Sequence, residues 1–164
     1  MTKGGKGGTE LETIRGRDWP GVRQFSIFLE NRVGALLDLV RRLEASGNRI
    51  VALSVIESAD CAVVRVILSD PERAGETLRL AQRPFLECDL LLVELPPGSG
   101  PVGQVCKALL AAEINIHYVY PVMVGTAATH RPVLAIHVDD HETSSRTLQG
   151  QGFTVLSERD LEEE

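Results

Sequence analysis

Short β-branched runs alternate along this chain with segments whose apolar residues recur at helical spacing, and the alternation predicts its elements. After a polar opening, QFSIFL reads as a strand. In ALLDLVRRLEAS, residues Leu36, Leu37, Val40 and Leu43 fall on a helical repeat, and Gly47 stands where a helix terminator belongs. RIVALSVI and CAVVRVIL, separated by the polar link ESAD, predict a hairpin. Asp70-Pro71 then opens a second helix, PERAGETLRLAQ, with Asp as cap and Pro as first helical residue. The run FLECDLLLVEL closes this unit and begins another.

The second unit repeats the first. Sliding the sequence so that Gly34 falls on Gly100 lays IFLENRVGALLDLVRRLEASGNRIV over VELPPGSGPVGQVCKALLAAEINIH without a gap. Leu39 then meets Val105, Leu43 meets Leu109, and Ile50 meets Ile116. The hairpin is longer in copy two, where VGTAATHR replaces ESAD. PVLAIHV, the helix DDHETSSRTLQ and GFTVLSE complete a second β-α-β-β-α-β order. The expected fold is α+β, two ferredoxin-like repeats over 23–89 and 90–158, each an antiparallel sheet with both helices on one face. Residues 1–22 are expected to be a flexible N-terminal segment, although Trp19 should pack back on the domain, and 159–164 an acidic tail. RIVALSVI and CAVVRVIL are apolar at both parities, so both faces of each strand should be buried, one under helices and the other under a second sheet or chain.

A length of 164 residues suits two small units of about 70 residues each. With 4% aromatic residues the core must be aliphatic. A net charge of −6, with no basic cluster beyond Arg41-Arg42, argues against a nucleic-acid partner, which would require clustered Lys and Arg. The three cysteines, Cys61, Cys88 and Cys106, sit apart without CxxC spacing and suggest buried thiols in a reducing compartment rather than disulfides or zinc. No run reaches the roughly 18 apolar residues of a membrane span, and the opening lacks the apolar region of a signal peptide, so a cytoplasmic location is expected.

Gly98-Ser99-Gly100-Pro101-Val102-Gly103 fits GxGxxG, but no acidic residue follows at the distance a ribose would need, and the aligned turn of copy one has no such pattern. No cofactor is therefore expected. What the copies share is a tight strand-to-helix turn ending in glycine. A helix N-terminus presents unpaired N–H groups that accept a carboxylate, and Gly34 or Gly100 would admit a ligand close to the backbone. Asn31 could hold both charged groups of a free amino acid, or it could simply cap the helix. In copy two's second strand, alternation sets His117 opposite Tyr118 and Tyr120. His130 and His141 read as solvated, and four scattered histidines give no metal spacing, so neither a metal site nor a catalytic constellation is expected.

The segment FSIFLENRVGALLDLVRRLEASGNRIVALSV resembles the opening of an ACT domain, a small regulatory module of amino-acid metabolism, through its strand, its Asn-x-x-Gly-x-Leu turn, its helix and the strand opened at Ile50. The resemblance runs twice between Arg23 and Leu156, as in tandem two-ACT proteins, and copy one is also similar to the regulatory small subunit of acetolactate synthase. It implies side-by-side pairing of domains, a homodimer, and a non-catalytic role, with a separate enzyme subunit as a further partner. It also implies a bound amino acid, branched-chain first, with histidine or an aromatic one as alternatives. The implied site is Glu30, Asn31, Arg32, Val33, Gly34, Ala35 and Leu36. A weaker second site would comprise Pro97, Gly98, Ser99, Gly100, Pro101 and Tyr118, where Pro97 and Gly98 stand in place of Asn31 and Arg32.

Overall fold

The computed structural model describes residues 19–57, 60–125 and 130–162. Copy one is built from β1 (Val22–Glu30), α1 (Ala35–Ala45), β2 (Ile50–Glu57), β3 (Cys61–Leu68), α2 (Pro71–Leu80) and the first half of β4 (Phe85–Glu94). Copy two takes the second half of β4, then α3 (Pro101–Ala111), β5 (Ile116–Val124), β6 (Arg131–Val138), α4 (His141–Gly150) and β7 (Val155–Leu156), and α5 (Arg159–Glu162) is the last described element.

The duplication extends to local stereochemistry. Gly34 and Gly100 are the N-caps of α1 and α3, both left-handed, with φ of 86° and 64°. Asp70 and Asp140 cap α2 and α4 by accepting from the amides of Arg73 (3.0 Å) and Thr143 (2.9 Å). A bulge after Ile50 in β2 recurs after Ile116 in β5. α1 ends on Gly47 (φ 86°), as its sequence predicts, whereas α3 ends in the same left-handed conformation on Glu113 (φ 57°). In each, the following amide closes the turn: Asn48 donates to the Leu43 carbonyl and Ile114 to that of Leu109.

All strand pairs are antiparallel, in the order β2-β3-β1-β4-β6-β5, with β7 also on β4. β4 serves both copies: Phe85 to Leu90 pair with β1, Leu91 to Glu94 with β6. The expected boundary between 89 and 90 therefore falls inside one continuous strand. The sheet curls over until β2 and β5 approach each other, bringing the helix-free faces of its halves together. Within the chain, the copies are thus joined edge to edge through β4 and also meet across their helix-free faces.

Three apolar layers result among the described residues. Phe25, Ile27, Leu29, Val64 and Val66 pack with Leu39, Leu43 and Leu78 under copy one's helices. Leu91, Val93, Leu134 and Ile136 do so with Val105, Leu109 and Leu148 in copy two. Between the sheet halves lie Val22, Ile67, Leu90, Leu92, Val122, Val133 and Ala135. At about 25 cal/mol per Å² of apolar surface removed from water, this inner layer is what binds the two copies into one body. It is also the second sheet expected from the two-sided apolar pattern. β3 fits that pattern, but β2 does not: it is an edge strand whose Leu53, Val55 and Ile56 are substantially exposed.

The chain ends differ from expectation as well. Val22 is already a buried β1 residue and Trp19 packs on copy two's core, so the ordered part of the expected 1–22 segment begins by residue 19; residues 1–18 lie outside the described residues. The expected acidic tail is in its first part a helix, α5, whose Leu161 is buried in the inner layer while its carbonyl accepts from Arg49 at 2.8 Å.

Candidate functional site

The β1–α1 turn brings together the whole set the sequence singles out. β1 ends at Glu30, the chain reverses through Asn31, Arg32 and Val33, and Gly34 turns it into α1. All of these are exposed, Val33 fully, while Ala35 is buried and anchors the helix start against the core. Leu36 stays partly exposed beside it. Asn31 does not cap the helix. The N-cap is Gly34, which has no side chain to do so, and the Asn31 amide instead donates to the Glu57 carboxylate at 2.7 Å. Arg32 is held by Asp38 at 3.2 Å and Glu30 at 3.8 Å. A Cβ at Gly34 would find no atom within 4 Å, so its positive φ rather than crowding requires glycine. The turn thus offers two carboxylates, Glu30 and Glu57, beside the positive end of α1, and space over a bare backbone.

Copy two's turn is equally open but differently furnished. Pro97, Gly98 and Ser99 are exposed, Gly98 and Gly100 have positive φ, and Pro101 is the first residue of α3. The side chain of Gln104 folds back to donate to the Ser99 carbonyl at 3.2 Å. Tyr118 is not at this turn. It starts β5, opposite His137 at the far end of β6, whereas the turn follows the end of β4 beside the start of β6. The expectation that placed Tyr118 with Pro97 to Pro101 is therefore corrected by strand direction alone.

Tyr118 belongs instead to a polar island inside the inner layer. Gln24, fully buried on β1, donates to the Tyr118 hydroxyl at 2.7 Å and accepts from the Tyr120 hydroxyl at 2.8 Å. Cys88 lies 3.2 Å from the Gln24 amide, and the Arg65 guanidinium rests over the Tyr118 ring at 4.0 Å. Burial pushes the Cys88 thiol up, and it pushes Tyr118 to about 12, with the Cys88 contact adding to the effect. Tyr120 is raised by burial as well. Every member of the island is uncharged apart from Arg65, and it stitches copy one to copy two.

The histidines correct two further expectations. The bulge after Ile116 breaks the strand alternation, so His117 does not turn away from Tyr118: both rings contact His137, at 5.0 Å and 4.9 Å. His141 is half-buried rather than free in solvent; it stacks on Trp19 at 5.4 Å, and its Nε2 lies 2.6 Å from the Asp89 carbonyl. Burial, then His141, His117 and Arg65, lower the His137 pKa to about 4. His130 is exposed. A second device joins the copies: Arg23 binds Glu158 at 2.9 Å and Glu72 at 2.8 Å. Burial alone would lower the Arg23 pKa, but the bonds and charges of the two carboxylates more than reverse it. Sequence reasoning missed both devices, because the Gln24–tyrosine bonds and the Arg23–Glu158 bond form only where the copies meet.

Among the described residues no group of three or more His, Cys, Asp or Glu side chains could hold a metal ion, and no helix is long and apolar enough to cross a membrane. No curated protein sequence matches the chain. Among solved structures it is similar to protein BT0572 from Bacteroides thetaiotaomicron, at 25% identity over 89% of this chain and 99% of that one, with a TM-score of 0.79. It shares its fold with the regulatory subunit of aspartate kinase from Thermus thermophilus, at 12% identity over 82% and 95% of the two chains and a TM-score of 0.52. The corresponding subunit from Thermus flavus gives 11% identity, 81% and 93% coverage, and a TM-score of 0.51. The family described as an ACT domain pair matches residues 21–163, both repeats together, and the chain belongs to that family.

Proposed function

We propose that the protein is a non-catalytic regulatory sensor that binds a free amino acid at the β1–α1 turn and acts on a separate enzyme polypeptide. The reading is supported by one observation above the rest: in a chain of the ACT domain pair family, the first turn is an open, glycine-capped helix start flanked by carboxylates. The ligand's carboxylate would sit on the first amides of α1, and its ammonium group would face Glu57, which the Asn31 side chain orients. A branched-chain side chain suits the exposed Leu36 and Val33 best, with histidine or an aromatic residue as alternatives. The expected assembly is a homodimer and the expected location cytoplasmic. Ligand binding would then bias packing within the assembly, a coupling typically of about 1–3 kcal/mol.

A thermal-shift and calorimetric screen of the twenty amino acids tests this. A true ligand at a hundredfold excess over Kd stabilises by about 2.7 kcal/mol. Asn31→Ala should weaken that response while leaving the apo protein within about 1 kcal/mol of wild type, because the Asn31–Glu57 bond is exposed. An undiminished response in Asn31→Ala removes the turn from the reading.

A second reading, a small regulatory subunit of acetolactate synthase working only in complex, is favoured by the exposed apolar residues Phe28, Ile56 and Leu86. Co-purification with a catalytic subunit would support it. A module serving dimerisation alone would bind no amino acid in the same screen.

A further inference from the structure

The helix-free face of copy one extends beyond what copy two covers. Its outer rows are Ser26 beside Leu86, and Ile56, Val63 and Phe28 side by side across β2, β3 and β1. The repeat supplies a direct comparison. In copy two the same places are held by Leu92 beside Leu156, and by Val122, Val133 and Glu94. There the apolar side chains are sealed, with Val122 3% exposed and Leu156 2%. Their counterparts in copy one, Ile56 and Leu86, are 44% and 62% exposed. Phe28 is exposed as well, and Val63 is half-buried.

The two copies differ here in their cover rather than in the apolar character of the face. Val122, Val133 and Leu156 pack in one layer with Val22, Ile67 and Leu90 of copy one and with Leu161 of α5. Copy one lends those residues to the contact but not its outer rows, so the overlap of the stacked faces is partial. Single exposed apolar residues are ordinary, whereas a contiguous group on one sheet face marks a contact surface. Ser26, Phe28, Ile56, Val63 and Leu86 carry no charge, in a chain of net charge −6. Like-charged chains therefore meet no repulsion from these side chains.

We propose that the outer rows of copy one's helix-free face are a self-association surface, occupied by the same rows of a second copy of this chain. Two observations choose that occupant. The rows are continuous with the inner layer along β4, from Leu90 through Cys88 to Leu86. That layer is itself one helix-free face laid on another, so the chain already covers this kind of surface with its own kind. A two-fold axis sets each chain's uncovered rows on the other's, with the sheets about 10 Å apart. An isologous contact of this sort closes at two chains. The inference rests on the homodimer of the proposed function and names the face that forms it; it requires nothing of the amino-acid ligand.

Sedimentation equilibrium of the full chain tests this. The wild type should be a dimer, at twice the 17.9 kDa of one chain. Leu86→Lys and Ile56→Lys, both at exposed positions, should each raise the dimer dissociation constant at least hundredfold while keeping the far-UV circular dichroism of the wild type. The milder Leu86→Ser should raise it at least tenfold. Val55→Lys is the control: Val55 is exposed on the same edge strand, but it pairs with Val64 of the layer under the helices and so lies on the opposite face. It should leave the dimer intact. A monomeric wild type overturns the surface, and so does capture of a separate catalytic subunit through Leu86 and Ile56 by a chain that does not pair with itself. A dimer that survives both lysine substitutions overturns the face and leaves the homodimer standing on other residues. Loss of the dimer in Val55→Lys alone overturns it in favour of pairing along the β2 edge. Loss of the dimer in Leu86→Lys and Ile56→Lys supports the face even where no amino acid binds, so the two readings fail separately.

Discussion

Replacing Gln24 by Leu tests whether the copies are joined as the polar island indicates. Gln24 is fully buried, and it bonds the Tyr118 hydroxyl at 2.7 Å and the Tyr120 hydroxyl at 2.8 Å. Leucine is of similar size, so the change removes the bonds without opening a large cavity. Tyr120 then has no acceptor for its hydroxyl proton from Gln24, while Tyr118 keeps only its 3.6 Å contact with Cys88. A buried polar group left unsatisfied costs about 1–3 kcal/mol, and two partly compensated hydroxyls give an expected loss of about 2–4 kcal/mol. Removing the hydroxyls as well should return most of it, because an apolar replacement of all partners is close to neutral. Urea unfolding of the wild type, Gln24→Leu, and Gln24→Leu with Tyr118→Phe and Tyr120→Phe would measure this cycle. A single substitution costing under about 0.5 kcal/mol, or a triple variant no more stable than the single one, would refute the reasoning.

Two other outcomes are expected. Because the folded-state pKa of His137 is lowered from 6.5 to about 4, the unfolded chain binds more protons in that interval. Stability should therefore fall as pH drops from 6.5 toward 4, and His137→Phe should flatten that part of the curve in a pH series of thermal melts; an unchanged slope would mean that the ring is not desolvated as the structure has it. The repeat also offers a paired test of backbone strain, since the same left-handed position is Gly47 in copy one and Glu113 in copy two. A non-glycine residue there costs about 1–2 kcal/mol, partly offset by glycine's unfolded-state entropy, so Glu113→Gly should stabilise by about 0.5–1 kcal/mol. Gly47→Ala should destabilise by at least as much, with an added clash against Arg73, whose guanidinium would lie 2.8 Å from the new Cβ. Equal signs for the two substitutions in chemical denaturation would contradict the shared geometry.

The sequence alone determined whatever depends on neighbours a few residues away. Strand and helix periods, the cap at Asp70, the terminator at Gly47 and the glycine starts at Gly34 and Gly100 are local conformational preferences, and duplication made the order of strands and helices legible twice. The first turn could be read as one unit because its members are consecutive from Glu30 to Leu36. Only the tertiary structure decided that β4 is shared, that the sheet curls to stack its helix-free faces, and that Leu161 of a short terminal helix closes the layer between them. It also took Tyr118 away from the second turn. Such placements depend on which edges of a strand are filled and how far a sheet bends, and those are settled by the free energy of burying apolar faces contributed by residues far apart in the chain.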